Sequence, residues 1–184
     1  LDWVERGTAE VRFVSPVFAA DRVECASSPT EDGTQLIEAV VAGDTRASCR
    51  VGLPAGPPPA HAPGNEVMEP LTVSLVGEWS DYGLRAGEDL ELYRTHGIAH
   101  PALWPALANN IVHRQLAQGS WIHTRSAIRH LRSVPDGSEV LVEATVTDRF
   151  ETRAGERAVL DVRIGLDGEA VAIIEHEALI KLKS

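Results

Sequence analysis

Two stretches of this 184-residue chain share one pattern at a fixed spacing. Residues 11–23 read against residues 128–140 without a gap, 117 positions apart (128 − 11), and the pairs Val11/Ile128, Arg12/Arg129, Val14/Leu131, Val17/Val134 and Val23/Val140 are apolar or identical. A repeat of this kind implies two copies of one supersecondary unit, each burying what the other leaves open. Projected by the same spacing, Leu1 falls on Gln118, so the stretch from about Pro70 to Ala117 has no counterpart ahead of the first copy. One and a half units of a two-unit protein are expected.

Turn chemistry divides the chain further. Strand-like runs at Thr8–Val14, Arg22–Ala26, Thr34–Val41 and Arg46–Leu53 are separated by Ser15-Pro16, Asp32-Gly33 and Gly43-Asp44, the pattern of an antiparallel meander. Residues 54–65 then hold five prolines and two glycines in twelve positions, a composition that resists helix and sheet and reads as an extended linker. The expected division is a partial first unit at 1–54, a proline-rich linker at 55–69 and a fuller unit at 70–184. In that unit a strand at Pro70–Val76 precedes one long helix. Pro101 suits the first turn of that helix, where its missing N–H would be unpaired anyway. Leu103, Leu107, Ile111 and Leu116, with Ala102, Ala106 and Ala108 beside them, give an apolar stripe of about 14 residues that ends before Gly119. Strands at Trp121–Leu131, Glu139–Phe150, Ala158–Leu166 and Ala170–Leu182 follow. The order predicts an α+β chain whose antiparallel sheet wraps around a central helix.

Composition narrows the partners. A net charge of −10 and a pI near 5.1 argue against nucleic acid or an anionic membrane as a ligand surface. No apolar run approaches the roughly 18 residues of a membrane span, and no basic-then-apolar leader opens the sequence; a cytoplasmic protein is expected. Cys25 and Cys49 lie on strand-like segments without metal-type spacing, and both read as reduced, buried thiols. No metal or cofactor is expected.

The segments Gly97–Pro101, Gly119–Leu131 and Val134–Val140, in that order around the helix, resemble the MaoC-like acyl-thioester hydratases and dehydratases, whose fold is the hotdog. Residues 11–23 resemble the family's post-helix signature as well, so the resemblance implies a tandem, or double, hotdog with an incomplete first unit. It also implies an acyl-CoA or acyl-carrier-protein thioester as partner and a homo-oligomer such as a dimer, or another segment, covering the open first half. In the family a Gly-Asp-x-Asn-Pro-x-His segment ahead of the helix supplies a carboxylate and an imidazole for acid–base chemistry, and a glycine N–H at the helix start holds the thioester oxygen. Residues 87–93 match that segment: Gly87 is kept, Glu88 or its neighbour Asp89 takes the carboxylate position and Tyr93 takes that of the histidine. Pro101 stands at the glycine position and has no N–H to offer, which leaves those of Ala102 and Leu103.

The candidate catalytic residues are therefore Glu88, Asp89, Tyr93, His96 and His100, the two histidines being possible replacements for the missing imidazole. The candidate substrate-binding residues are Pro101, Ala102, Trp104, Gly119, Trp121 and Arg125, with Arg125 suited to CoA phosphates. His123, His130, Arg125 and Arg129 read as a solvated or interface face, and His176 between Glu175 and Glu177 as an exposed strand residue. A divergent enoyl-CoA hydratase or 3-hydroxyacyl dehydratase is the leading reading. A thioesterase of the same fold, or a non-catalytic unit that binds acyl thioesters or completes a heteromer, stands beside it.

Overall fold

A computed structural model describes residues 1–88 and 90–183. Ten strands form one sheet, and a single stretch of helix fills its deeper concavity. A five-residue helix, α1 (Asp2–Arg6), leads into β1 (Thr8–Phe13), β2 (Glu24–Pro29), β3 (Gln35–Val41) and β4 (Asp44–Gly52). Short strands β5 (Glu66–Val67) and β6 (Leu71–Ser74) follow, then the single-turn helices α2 (Tyr82–Arg85) and α3 (Leu92–Thr95), and α4 (Leu103–Ile111), which continues as a π-helical turn over Val112–Leu116. The chain ends in β7 (Ile122–His130), β8 (Glu139–Glu151), β9 (Gly155–Leu166) and β10 (Glu169–Leu182).

The strand order β2-β3-β4-β1-β7-β10-β9-β8 reads as the same four-strand pattern run in both directions from the β1–β7 junction. All pairings are antiparallel. At that junction Glu10 pairs with Ala127, a separation of 117 (127 − 10), which equals the spacing of the sequence repeat. The residue at the centre of the sheet is thus paired with its own counterpart.

The α4 segment is too short to persist alone, and packing holds it. Leu103, Trp104, Leu107, Ala108, Ile111 and Val112 are buried against Leu160, Ile164, Ile174 and Ile180 of β9 and β10 in one continuous core. The first four strands are less covered: Ala9 of β1 joins that core, and Cys49 and Val51 of β4 pack against it. Every residue of β2 is exposed, and Phe13, Val17 and Phe18 are about half exposed or more. Cys25 lies on that uncovered edge strand and is exposed, while Cys49 is half-buried, so the expected burial of both thiols does not hold.

The proline-rich segment crosses the outer face of the sheet from β4 to the far edge. Arg129 donates to the carbonyls of Gly56 and Pro57, Arg163 donates to that of Pro59, and the Ala62 N–H donates to the Asp161 carboxylate at 2.6 Å. Among the described residues no helix is long and apolar enough to cross a membrane.

Candidate functional site

The loop ahead of α4 is folded by three short turns that bring Glu88, Tyr93 and His100 to one small pocket of about 120 Å³. Tyr93 meets the His100 ring edge-on at 4.4 Å between centroids. His100 Nδ1 accepts the Ala102 N–H at 3.1 Å, so in the neutral ring the proton sits on Nε2 as a donor. Burial lowers the His100 pKa, with the nearby Glu88 charge opposing the shift. Burial, and then the same carboxylate, raise that of Tyr93. Both groups are therefore neutral hydrogen-bond donors at pH 7. Glu88 itself is tied into the loop by accepting the Leu90 N–H.

Gly83 makes this arrangement possible. A Cβ placed there would stand 2.7 Å from His100 Cδ2, closer than packed atoms approach. Gly83→Ala must displace the imidazole, and on any turnover assay it should behave as a weaker version of a His100 substitution.

His100 and Tyr93 also line a second, larger space of about 400 Å³, a groove between β1, β7 and the start of α4. Its walls are mainly apolar, with Val11, Phe13, Ala106 and Ile128 among them, and Pro101 and Ala102 stand at its edge beside His100. Three imidazoles face it: His100, His123 and His130. A β-bulge where Glu177 and Ala178 of β10 meet β7 leaves Thr124 without a ladder partner, and this turns His123 to the same side as Ser126. The Ser126 hydroxyl then lies 2.8 Å from His123 Nε2 and 2.9 Å from His176 Nδ1. Burial pushes the His123 and His130 imidazoles down to about 4, and burial with the His123 neighbour pushes His176 to about 3. His176 and His130 are fully buried on the inner face, not on a solvated one as their sequence neighbours suggest. The alternation of β10 contained the signal: Glu175 and Glu177 face outward, so the residue between them faces the core.

The remaining sequence candidates fall elsewhere. His96 is exposed at the end of α3. Trp104 is 2% exposed within the core. Gly119 is an exposed turn residue at φ +93°, and Trp121 lines a separate surface hollow with His113. Arg125 is on the outer face, clamped by Glu10 at 3.1 Å and Glu175 at 2.6 Å. Asp89 lies outside the described residues. No group of three or more His, Cys, Asp or Glu side chains suited to a metal occurs among the described residues.

Comparison with known proteins places the architecture. The sequence matches no protein-family model and no curated protein. In three dimensions the chain is similar to the MaoC-like dehydratase of Phytophthora capsici, with a TM-score of 0.59 at 10% identity over 97% of this chain and 72% of that one. It is similar to the acyl-CoA thioesterase II TesB2 of Mycobacterium marinum at TM-score 0.56 and 18% identity, over 98% of this chain and 82% of that one. The (R)-hydratase of A. caviae involved in PHA biosynthesis matches at TM-score 0.51 and 20% identity, over 65% of this chain and the whole of that one. An antiparallel sheet around one central helix, shared with these dehydratase, hydratase and thioesterase structures, is the hotdog fold, and this chain is a hotdog-fold protein.

Proposed function

We propose that the chain acts on acyl thioesters, adding water to or removing it from the bond between C2 and C3 of the acyl group, with the carrier CoA or an acyl-carrier protein. The observation that carries this reading is the convergence of Glu88, Tyr93 and His100 on one pocket that adjoins an apolar groove. A carboxylate beside two neutral donors meets the needs of the reaction. Glu88 takes a proton from water as its oxygen bonds to C3, and returns that proton to C2, so H and OH are added with no net change in the protein. Negative charge develops on the thioester oxygen meanwhile. In this reading the Nε2–H of His100 and the hydroxyl of Tyr93 hold it, doing the work that Pro101 cannot do for lack of an N–H. His100 thus supplies, from seven residues further along, the imidazole that position 93 lacks.

The same reading makes the sheet a tandem of two hotdog halves related by the Glu10–Ala127 pair, with residues 1–54 forming the first half and 70–184 the second. Among the described residues of 1–54 no counterpart of α4 occurs. The exposed inner side of the first, with Phe13, Val17 and Phe18, is then a surface that a helix equivalent to α4, from a second copy or another segment, covers in the working assembly.

Incubation with saturated, enoyl- and 3-hydroxyacyl-CoAs, followed by enoyl absorbance and free thiol, tests the reaction. Interconversion of enoyl and 3-hydroxyacyl thioesters without thiol release is expected, and both Glu88→Gln and His100→Gln should lower kcat by about 100-fold or more with the fold intact. Thiol release would assign hydrolysis at this site. Turnover unaffected by either substitution would move the chemistry elsewhere, and no turnover would leave a binding protein.

A further inference from the structure

The groove has a polar requirement that the protein itself does not meet. His130 is 1% exposed and lines the groove, yet neither ring nitrogen has a hydrogen-bond partner among the described residues. Among the described residues its aromatic neighbour is Trp3, which meets it edge-on at 4.6 Å between centroids and whose indole N–H is committed to the Thr8 carbonyl. A neutral imidazole carries one donor and one acceptor, and burying both unpaired is costly. By contrast His123, at the other end of β7, is engaged by Ser126. Seven residues of extended strand separate the two, about 20 Å at the usual rise, so the groove is long enough for an acyl tail. His130 borders that groove but not the small pocket that holds Glu88, so the group it awaits does not sit on the reacting carbons.

We propose that the groove receives an acyl chain bearing a hydroxyl or oxo group on its tail, and that His130 is the specificity-determining residue that hydrogen-bonds it. The proposal rests on the acyl-thioester reading of the site and names its substrate class. A plain saturated tail would leave the imidazole buried and unpaired, whereas an oxygen on the tail satisfies it, and sites built to pair a ligand hydroxyl reject the analogue without one. Burial keeps His130 neutral at pH 7, which preserves both a donor and an acceptor for that oxygen.

The test uses free acids, so that recognition of the tail is read apart from thioester turnover. Binding of dodecanoic acid and of hydroxydodecanoic acids with the hydroxyl at successive positions beyond C3 is measured by calorimetry. At least one hydroxy acid should bind about tenfold tighter than dodecanoic acid, equivalent to about 1.4 kcal/mol. His130→Phe should abolish the preference while keeping or improving affinity for dodecanoic acid, and should raise the Tm, because it removes an unpaired buried group. His130→Gln, which keeps a donor and an acceptor, should retain part of the preference. Equal or tighter binding of dodecanoic acid than of every hydroxy acid, no binding of any acid, or a preference that survives in His130→Phe overturns the proposal. Failure of the acyl-CoA assay with the hydroxy-acid preference intact would instead overturn the reaction assigned above.

Discussion

Acidification from about pH 7 to about pH 4.5 is expected to unfold the chain, with uptake of about three protons. His123, His130 and His176 are held near 4, 4 and 3 in the folded state, against an ordinary value of 6.5. Between those limits the unfolded chain binds protons that the folded chain refuses, so stability is complete above about pH 6.5 and falls as pH drops toward 4. Each group contributes about 1.4 kcal/mol per pH unit inside that window, and three together about 4. Across two units the loss is about 8 kcal/mol, comparable with the whole stability of a typical domain. Glu10, whose carboxyl Arg12 and Arg125 hold below its usual value, adds its own loss only at lower pH. Urea melts at half-unit pH intervals measure the slope directly. His176→Gln should make it shallower by about one proton, and a stability flat from pH 7 to 5 would contradict the burial of these imidazoles.

Trp104→Ala should be the most damaging single truncation of the helix, costing about 3–5 kcal/mol. The indole is 2% exposed, sits in the first turn of α4 and packs in the same core as Leu107, Ile111 and the inner residues of β9 and β10. A nine-residue α-helix followed by a π-helical turn has little stability of its own. Losing its largest anchor therefore loosens the whole segment, and with it the His100 loop that precedes it. Denaturant midpoints should fall with the m-value unchanged, and Trp104→Phe should cost less than half as much. A Trp104→Ala protein within 1 kcal/mol of the parent would place the indole outside the core and restore it as a candidate for contact with substrate.

The sequence carried the architecture well where local chemistry and tertiary packing agree. Pro101 and the stripe from Leu103 to Leu116 marked the central helix, and Pro135-Asp136-Gly137 and Asp167-Gly168 marked the turns between the long strands. The 117-residue spacing equals the separation of Glu10 and Ala127, paired at the middle of the sheet. Glu88, Tyr93 and His100 were among the candidates because residues 87–93 resemble the MaoC-like segment and His100 stands at the helix start, and the fold brings these three to one pocket. Single-residue insertions are harder to read. One extra residue at Thr124 separates His123 from the parity of Arg125, so a strict alternation puts the two on one face when the fold puts them on opposite faces. His176 was obscured by its charged neighbours, and Cys25 by a β-strand pattern that says nothing of whether another layer covers the strand. The partnerless ring of His130 has no sequence signature, since it depends on what surrounds it in space.

The central position of β7 has a mechanical consequence. It lies between β1 and β10 and runs antiparallel to both, so those two strands are parallel to each other. Thr8, at the start of β1, sits opposite Arg129, whereas Leu179, near the end of β10, sits opposite Ile122. Tension applied through the beginning of β1 and the end of β10 therefore slides the two strands past β7 along its length. The two ladders of hydrogen bonds are loaded together in shear and do not unzip one bond at a time. Stretched from these points, the molecule should resist as a clamp and then give way in one step, with the sheet's middle failing before its uncovered edge.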